Sequence, residues 1–134
     1  MDFSFNLRAS LGNHIYNNIN SVSAYYSLVQ NNTVLGNIPT SVLDTNFIQP
    51  GSLGTQSDIF IENASFLRMD NITLGYSFPK WLEGKASLRI SAGVQNAFVI
   101  TKYSGLDPEI TNNGIDNTIY PRPRTLLFGA NIKF

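Results

Sequence analysis

The chain has 134 residues, nine basic and nine acidic side chains, one histidine and no cysteine. Because the net charge is zero, no basic excess exists to release counterions, which excludes a nucleic-acid binder that works by phosphate neutralisation. The absent cysteines exclude disulfide bonds, thiolate metal sites and cysteine nucleophiles. Only 13% of the residues are charged, about half of the ~25% usual in soluble domains, and 16 asparagines and 13 serines make the chain polar without charge.

The first predicted element is a strand at 2–11. Every second residue from Phe3 to Leu11 is apolar, and the residues between them are polar or charged. A helix would scatter these positions around its axis, so the alternation predicts a strand. The segment from Met1 to Ser4 has neither the basic nor the apolar region of a secretory signal. No window approaches the ~18 consecutive apolar residues of a membrane helix.

A long loop is predicted at 12–63. It is rich in Asn, Ser, Thr and Gly, contains Pro39 and Pro50 as breakers, and carries no lysine or arginine. Only the stretch from Val22 to Val29 could form a short helix or turn. Loops of this length are uncommon in compact domains, so either this segment is functional or its assignment as a loop is wrong.

Three more strands are predicted at 66–78, 87–98 and 124–134, each with apolar residues at alternate positions. A short connection at 79–86 joins two of them, and a second long loop covers 101–122, where glycines and prolines interrupt regular pairing. Strands of about ten residues can cross a bilayer when tilted. Long and short connections alternate in outer-membrane barrels, whose long loops are extracellular and whose short turns are periplasmic.

The pattern therefore predicts an all-β fold in which about four antiparallel strands form part of a transmembrane β-barrel. The apolar faces would meet lipid, and the Ser, Thr, Asn, Gln and Gly faces would line a wet lumen. Aromatic residues at the strand ends would form the interface girdle; they are Phe66, Tyr76, Phe78, Trp81, Phe98, Tyr103 and Phe134. A soluble, half-buried sheet shares this alternation and remains the alternative.

Four stretches resemble the C-terminal end of the SusC/RagA-type, TonB-linked outer-membrane transporters of Bacteroidetes. They are 61–79 (Ile-Glu-Asn-Ala-Ser-Phe-Leu-Arg-Met-Asp-Asn-Ile-Thr-Leu-Gly-Tyr-Ser-Phe-Pro), 95–98 (Gln-Asn-Ala-Phe), 103–109 (Tyr-Ser-Gly-Leu-Asp-Pro-Glu) and 120–124 (Tyr-Pro-Arg-Pro-Arg). Their order and approximate spacing agree with the family over residues 61–134, and the strand at 2–11 is compatible with it.

The resemblance implies a barrel of about 22 strands with an N-terminal plug, located in the outer membrane. Such proteins import glycans or peptides with a SusD-like surface lipoprotein, using energy relayed by TonB. This chain would supply a C-terminal piece of barrel wall and two extracellular loops, and its partners would be the rest of the barrel, the plug, the lipoprotein and outer-membrane lipid. TonB would be reached only through N-terminal regions outside this chain. Since the smallest membrane barrels need about eight strands, four cannot close one or transport alone.

The resemblance also suggests an assembly signal at the chain end, built from a glycine, a hydrophobic residue and a terminal aromatic: Gly129, Ile132 and Phe134. Leu127 departs from this pattern, which prefers a polar residue there. Loop residues could contact a ligand or a partner protein, since tyrosine brings large area and a polar tip. These candidates are Tyr16, Tyr25, Tyr26, Tyr103, Asp107, Glu109, Tyr120, Arg122 and Arg124.

Other chemistries receive less support from the residues. Asp107, Glu109 and Asp116 with asparagines 112, 113 and 117 could bind calcium, but their spacing does not fit an EF-hand and a turn cluster is the favoured interpretation. His14 has no nearby acid or cysteine. The carboxylates of Glu62, Asp70, Asp107 and Glu109 could form a glycosidase pair, which sequence cannot position. We therefore expect no enzyme activity, metal or cofactor; the rival functions are a soluble β-rich glycan-binding module and, with weaker support, a small hydrolase.

Overall fold

A computed structural model describes residues 1–31, 34–49, 57–82, 84–110, 113–118 and 120–134. Their strands are β1 Asp2–Ser10, β2 His14–Asn17, β3 Gln30–Asn31, β4 Val34–Leu35, β5 Ile61–Asn63, β6 Phe66–Trp81, β7 Ala86–Thr101, β8 Ile115–Asp116 and β9 Thr125–Lys133. The helices are α1 Asn18–Ser23 and α2 Val42–Thr45, with 3-10 turns at Tyr26–Val29 and Asp58–Phe60. No helix within these residues is both long enough and apolar enough to cross a membrane.

The chain forms two compact units. The wall unit comprises Met1–Leu11, Phe66–Thr101 and Arg122–Phe134, and the loop unit comprises Gly12–Ser65 and Lys102–Pro121. The wall unit holds the four long strands in the order β1-β6-β7-β9, with every neighbouring pair antiparallel. The predicted set of four antiparallel strands is thus confirmed. Among the described residues β1 and β9 lie at opposite edges and do not pair, so the sheet is open.

The two central strands are longer than predicted. Strands β6 and β7 have 16 residues each. Strand β6 begins at the predicted residue and ends three residues later, whereas β7 begins one residue earlier and ends three residues later than predicted. The turn between them is correspondingly short. It spans Leu82 to Lys85, with left-handed backbone at Leu82 (φ 51°) and Gly84 (φ 89°). Half of the expected connection at 79–86, namely residues 79–81 and 86, is therefore strand.

One face of the wall sheet is apolar across all four strands. Phe3, Leu74, Ala92 and Phe128 stand side by side in register, and the rows two residues away repeat the pattern. The large side chains of this face are exposed, with Phe128 at 83%. An apolar face that spans four strands and lacks a covering layer is the arrangement expected of a surface in contact with lipid or another protein.

Two β-bulges keep the apolar face continuous. Asp70 is an extra residue of β6 opposite the Asn6–Leu7 step of β1, and β7 has an extra residue, at Asn96–Ala97, opposite Asp70. A single extra residue inverts the alternation of a strand. Consequently the apolar positions of β6 change from even numbers at Ile72 and beyond to odd numbers at Met69, while β1 continues its own alternation without interruption.

The segments predicted as loops, 12–63 and 101–122, lie largely within the loop unit, where they contain short strands and helical turns. Strand β2 pairs with β5 in antiparallel and with β8 in parallel orientation. The core of the unit is formed by Ile15, Ala64 and Tyr103, against which Ile110 packs. Tertiary contacts between distant segments supply the apolar burial that neither loop provides alone.

Candidate functional site

The most buried polar contact of the loop unit joins Tyr103 to Asp116. The Tyr103 hydroxyl donates to Asp116 Oδ2 at 2.6 Å, and Asp116 Oδ1 accepts from the Thr118 amide at 2.7 Å. Burial and, secondly, this carboxylate raise the pKa of Tyr103, because ionisation would place two negative charges together in a desolvated site. Tyr103 therefore anchors the 102–121 segment to the core and stays neutral over the physiological range.

Next to this anchor, Glu62 binds the backbone and side chain of Ser104. Its Oε2 accepts from the Ser104 amide at 2.8 Å, and its Oε1 accepts from Ser104 Oγ at 2.7 Å. Asn17 Nδ2 also donates to Glu62 Oε1, at 2.9 Å. The Glu62 carboxylate of β5 thus joins the 102–121 segment to β2. It accepts hydrogen bonds from three donors, which an ionised acidic side chain does well because charged acceptors form the stronger bonds.

Two clefts flank this contact. One, of about 340 Å³, is lined by Asn17, Ile19, Asn20, Ser104, Gly105, Leu106, Asp116 and Thr118. The other, of about 380 Å³, is lined by Asn20, Thr40, Ser41, Asp44, Thr45, Ile59, Phe60, Glu62 and Ser104. Both volumes lie at the lower end of the ~300–1,000 Å³ range of small-molecule sites. Asn20 and Ser104 belong to both linings, so they form the shared wall.

The shared wall is held by polar contacts of unequal strength. Asn20 Oδ1 accepts from Ser41 Oγ at 3.1 Å, whereas Asn20 Nδ2 reaches Ser104 Oγ only at 3.4 Å. The second distance is at the long end of the hydrogen-bond range. The amide of Asn20 therefore has donor capacity that a ligand oxygen can use at little cost.

The carboxylates near residue 107 serve as turn acceptors. Asp107 Oδ1 accepts from the Glu109 amide at 2.9 Å, as Asp116 does from Thr118, which is the local pattern of an Asx turn. Among the residues that the structure describes, no group of three His, Cys, Asp or Glu side chains could hold a metal ion. Asn112, one of the residues considered for calcium, lies outside the described residues.

Aromatic rings form a second cluster in the loop unit. Tyr25 stacks on Phe47 with ring centroids 6.1 Å apart, Phe47 contacts Phe60, and Phe60 meets Tyr16 edge-on at 6.3 Å. Burial raises the pKa of Tyr25, with a smaller contribution from Tyr16. Because Phe60 also lines the larger cleft, this aromatic cluster supports one wall of the cleft from inside.

In the wall unit, polar contacts cross the sheet at the bulges. Arg8 binds Asp70 through two hydrogen bonds of 3.0 and 3.1 Å. Arg68 Nη1 donates to Asn96 Oδ1 at 2.7 Å, and Asn96 Nδ2 donates to the Arg122 and Pro123 carbonyl oxygens at 3.1 and 3.3 Å. These side chains link β1, β6, β7 and the segment that leads into β9, so they fix where the bulges lie.

An ion pair crosses the polar face of the wall further along. Arg89 Nη2 and Asp2 Oδ2 are 2.6 Å apart, and they meet above Gly75 of the intervening strand. A Cβ at position 75 would lie 2.7 Å from the Asp2 carboxylate oxygens and 2.8 Å from Arg89 Nη2. The glycine therefore provides the space through which β1 and β7 make contact across β6.

The predicted contact residues occupy different environments. Tyr25, Tyr103 and Asp107 are buried, so they are placed to support the loop unit from inside; Phe66 and Tyr103 likewise do not belong to an exposed aromatic girdle. Tyr16 and Glu109 are half-buried. The remaining candidates are exposed: Tyr26, Tyr120, Arg122, Arg124, Gly129, Ile132 and Phe134.

The structure brings Tyr103 close to cleft residues that sequence reasoning did not select, namely Asn17, Asn20 and Ser104. Ser104 lies inside the Tyr-x-Gly-x-Asp-Pro-Glu stretch, which was the available signal for it. The asparagines carried no such signal, because they are two of 16 in the chain.

Comparison with known proteins gives this architecture its context. The TonB-dependent receptor SusC of Bacteroides thetaiotaomicron is 42% identical over 139 residues, covering 99% of this chain and 14% of the relative. The TonB-dependent receptor P39 of Formosa agariphila is 27% identical over 98% of this chain and 14% of its own length. The solved structures of the RagAB peptide transporter (TM-score 0.69, 24% identity) and of the RagAB peptide importer in its closed-closed state (TM-score 0.72, 22% identity) each match 96% of this chain and 15% of theirs. No protein-family model matches the chain.

The chain is homologous to a part of the SusC/RagA-type TonB-dependent receptors. It spans 14% of the length of the two curated relatives. This relationship confirms the predicted family, and the wall sheet, which is not closed on its own, matches part of a large transmembrane β-barrel. The soluble β-rich module and the small hydrolase receive no support, since these relatives are named as receptors and transporters.

Proposed function

We propose that the protein to which this SusC/RagA-type segment belongs is an outer-membrane receptor that imports glycans or peptides. Energy would come through TonB, contacted by regions outside this chain, and a SusD-like surface lipoprotein would be the partner at the cell surface. The observation that carries the proposal is the 42% identity to SusC over 99% of the chain. The four strands provide barrel wall, and the segment is not expected to transport by itself.

The loop unit is proposed to lie outside the cell. The Leu82–Lys85 turn between β6 and β7 is short, whereas the connections from β1 to β6 and from β7 to β9 pass through the loop unit. Outer-membrane barrels place short turns in the periplasm and long loops outside. The loop unit would then be the part of this segment that meets nutrient or lipoprotein first. Tyr26 and Tyr120 are exposed candidate contact residues of the loop unit, and Arg122 is one of the wall unit.

The apolar face of the wall is proposed to contact lipid, and the face with the Asp2–Arg89 pair to line the lumen. Tyr76, Phe78 and Trp81 lie near the Leu82–Lys85 turn and are exposed, as expected of an aromatic girdle at the inner interface. Gly129, Ile132 and Phe134 are proposed as an assembly signal, because β9 is an edge strand that must still find its neighbour.

Uptake by the complete receptor tests the proposal. Cells that carry the receptor gene should accumulate a labelled oligosaccharide or oligopeptide, and uptake should stop when TonB is deleted. An inactive receptor with a blocked plug serves as the control for passive leakage. Uptake that persists without TonB, or a protein that fractionates away from the outer membrane, would contradict the proposal.

A further inference from the structure

We infer that the apolar face of the wall unit holds an anionic glycerophospholipid of the inner leaflet, with an acyl chain in a groove on β6 and β7 and the headgroup near the Leu82–Lys85 turn. The inference rests on the proposed function, in which this face meets lipid and the turn is periplasmic. It is carried by the shape of the groove, by its distance from the turn and by the charges around that turn.

The groove is a hollow of about 280 Å³ on the apolar face. The large side chains that line it are those of Met1, Leu74, Tyr76, Phe78 and Ile90, and Ala92 is the small one. Tyr76 and Phe78 act together, because their rings meet edge-on with centroids 4.6 Å apart. Ala92 lies in register between Leu74 and Phe128, and its methyl group leaves space beside these larger neighbours. An acyl chain in this hollow would make dispersion contacts on several sides instead of one.

The groove lies toward the turn end of the sheet. Leu74, Tyr76 and Phe78 are at most seven residues from the end of β6 at Trp81 and at least eight from its start at Phe66. A tilted strand crosses the apolar band of an outer-membrane barrel in about ten residues. With the turn in the periplasm, the groove is therefore at the depth of inner-leaflet acyl chains, and the exposed Trp81 is near the headgroups, where tryptophan is enriched.

The charges around the turn favour an anionic headgroup. The sequence from 79 to 86 contains Lys80 and Lys85 but one acid, Glu83, and Lys85 is exposed. The other two acidic residues of the wall unit already form ion pairs with arginine on the polar face. Since each basic residue near a membrane surface favours anionic lipid by about fivefold, the excess of lysine over acid at this end selects a negatively charged headgroup.

The groove and the lysines make separate contributions. A lipid chain outside the groove is already surrounded by hydrocarbon, so placing it in the groove gains no hydrophobic transfer free energy and mainly fixes its position. The headgroup charge then decides which lipid is retained. A zwitterionic lipid with the same chains would fit the groove equally well but would gain less from Lys80 and Lys85, so selective retention requires both features.

Native mass spectrometry of the complete receptor, purified in an uncharged detergent, tests the inference. The probes are phosphatidylglycerol and phosphatidylethanolamine with identical acyl chains. We expect phosphatidylglycerol to be retained at least fivefold more than phosphatidylethanolamine. The double variant Lys80→Gln with Lys85→Gln should remove this preference. Lys102→Gln changes an exposed lysine of the loop unit and should preserve it.

A variant of the groove provides the second, independent arm. Ala92→Phe fills the hollow without changing the charge, so the retained phosphatidylglycerol should be lost. Ala9→Phe is the matched control, because Ala9 is an exposed alanine of the same face but lies outside the lining, and retention should not change. Heat-modifiable migration on semi-native gels checks that both variants remain folded; the lysine variants decide the question if Ala92→Phe does not.

The remaining outcomes separate this inference from the proposed function. Equal retention of the two lipids overturns the inference, as does a preference that survives the double lysine variant or folded Ala92→Phe. Receptor dimers that Ala92→Phe dissociates would assign the groove to a second copy of the chain and would also overturn it. If uptake still depends on TonB in these cases, the import function stands and only the lipid site is wrong. Uptake that does not depend on TonB would refute the import function whether or not lipid is retained.

Discussion

The substitution Gly105→Ala should unfold the loop unit locally. The added Cβ would overlap Cε1 of the Tyr103 ring and lie 2.6 and 2.7 Å from its Cζ and hydroxyl oxygen. A ring is rigid, and this one is held at 2.6 Å from Asp116, so it cannot rotate away without losing that bond. Overpacking costs about 1–3 kcal/mol, and loss of a hydrogen bond to a charged group costs about 1.5–3 kcal/mol.

A cost of about 3–5 kcal/mol corresponds to at least a hundredfold rise in local opening, which hydrogen exchange followed by mass spectrometry detects. Peptides around Tyr103 and Asp116 should lose protection, while peptides of β7 should not. Gly93→Ala is the matched control, because the nearest atom to its added Cβ is Thr73 Oγ1 at 3.3 Å. The Tyr103→Leu background should reduce the cost of Gly105→Ala. Protection of the Gly105→Ala protein that stays within about twofold of the parent would refute this steric explanation, and so would an undiminished cost of Gly105→Ala in the Tyr103→Leu background.

Three further predictions concern the sheet and the pH response. Asn96→Ala should destabilise the wall in detergent unfolding by about 2–4 kcal/mol, because its hydrogen bonds are lost at a left-handed residue (φ 50°). Asn96→Gly loses the same hydrogen bonds but removes the strain of a left-handed residue with a side chain, so it should cost about 1 kcal/mol less than Asn96→Ala. Ile90→Arg should lower the free energy of unfolding of the wall by about 2–4 kcal/mol if residue 90 faces lipid, which semi-native gels detect as a smaller folded fraction. Ser91→Arg on the polar face should be tolerated, and equal effects of the two variants would contradict the assigned faces. Since the raised pKa of Tyr103 favours the neutral phenol in the folded state, exchange protection should be complete below pH 10.0 and fall above it as the unfolded chain ionises, and Tyr103→Phe should remove that alkaline loss.

The strands were predictable because their signal is local. Alternation from Phe3 to Leu11, and again along β7, depends only on which face of the sheet each side chain takes. The bulges were not predictable by the same means. The extra residue Asp70 shifts the alternation of β6 by one position. From the sequence alone, however, an acidic residue in a strand could equally be a bulge or an ordinary residue of the polar face.

The loop unit escaped prediction because its determinants are distant in sequence. Asn17 and Ser104 are 87 residues apart and hydrogen bond to each other at 3.1 Å, and Glu62 meets Ser104 over a separation of 42 residues. No local periodicity encodes such contacts. The resemblance nevertheless contained part of the answer, since the stretches 61–79 and 103–109 meet at Glu62 and Ser104, and 61–79, 95–98 and 120–124 meet through Arg68, Asn96 and Arg122.

The zero net charge is the sum of two opposite parts. The wall unit contains eight of the nine basic residues and three acidic ones, while the loop unit holds one basic and six acidic residues. Two of the acidic side chains in the loop unit, Asp107 and Asp116, are buried as turn or hydroxyl acceptors, so the charge left on its surface is smaller than the count suggests. Asp44 and Asp58 remain exposed, so part of the acidic excess of the loop unit lies at its surface. A chain that looks neutral from its composition therefore divides into a basic wall unit and an acidic loop unit.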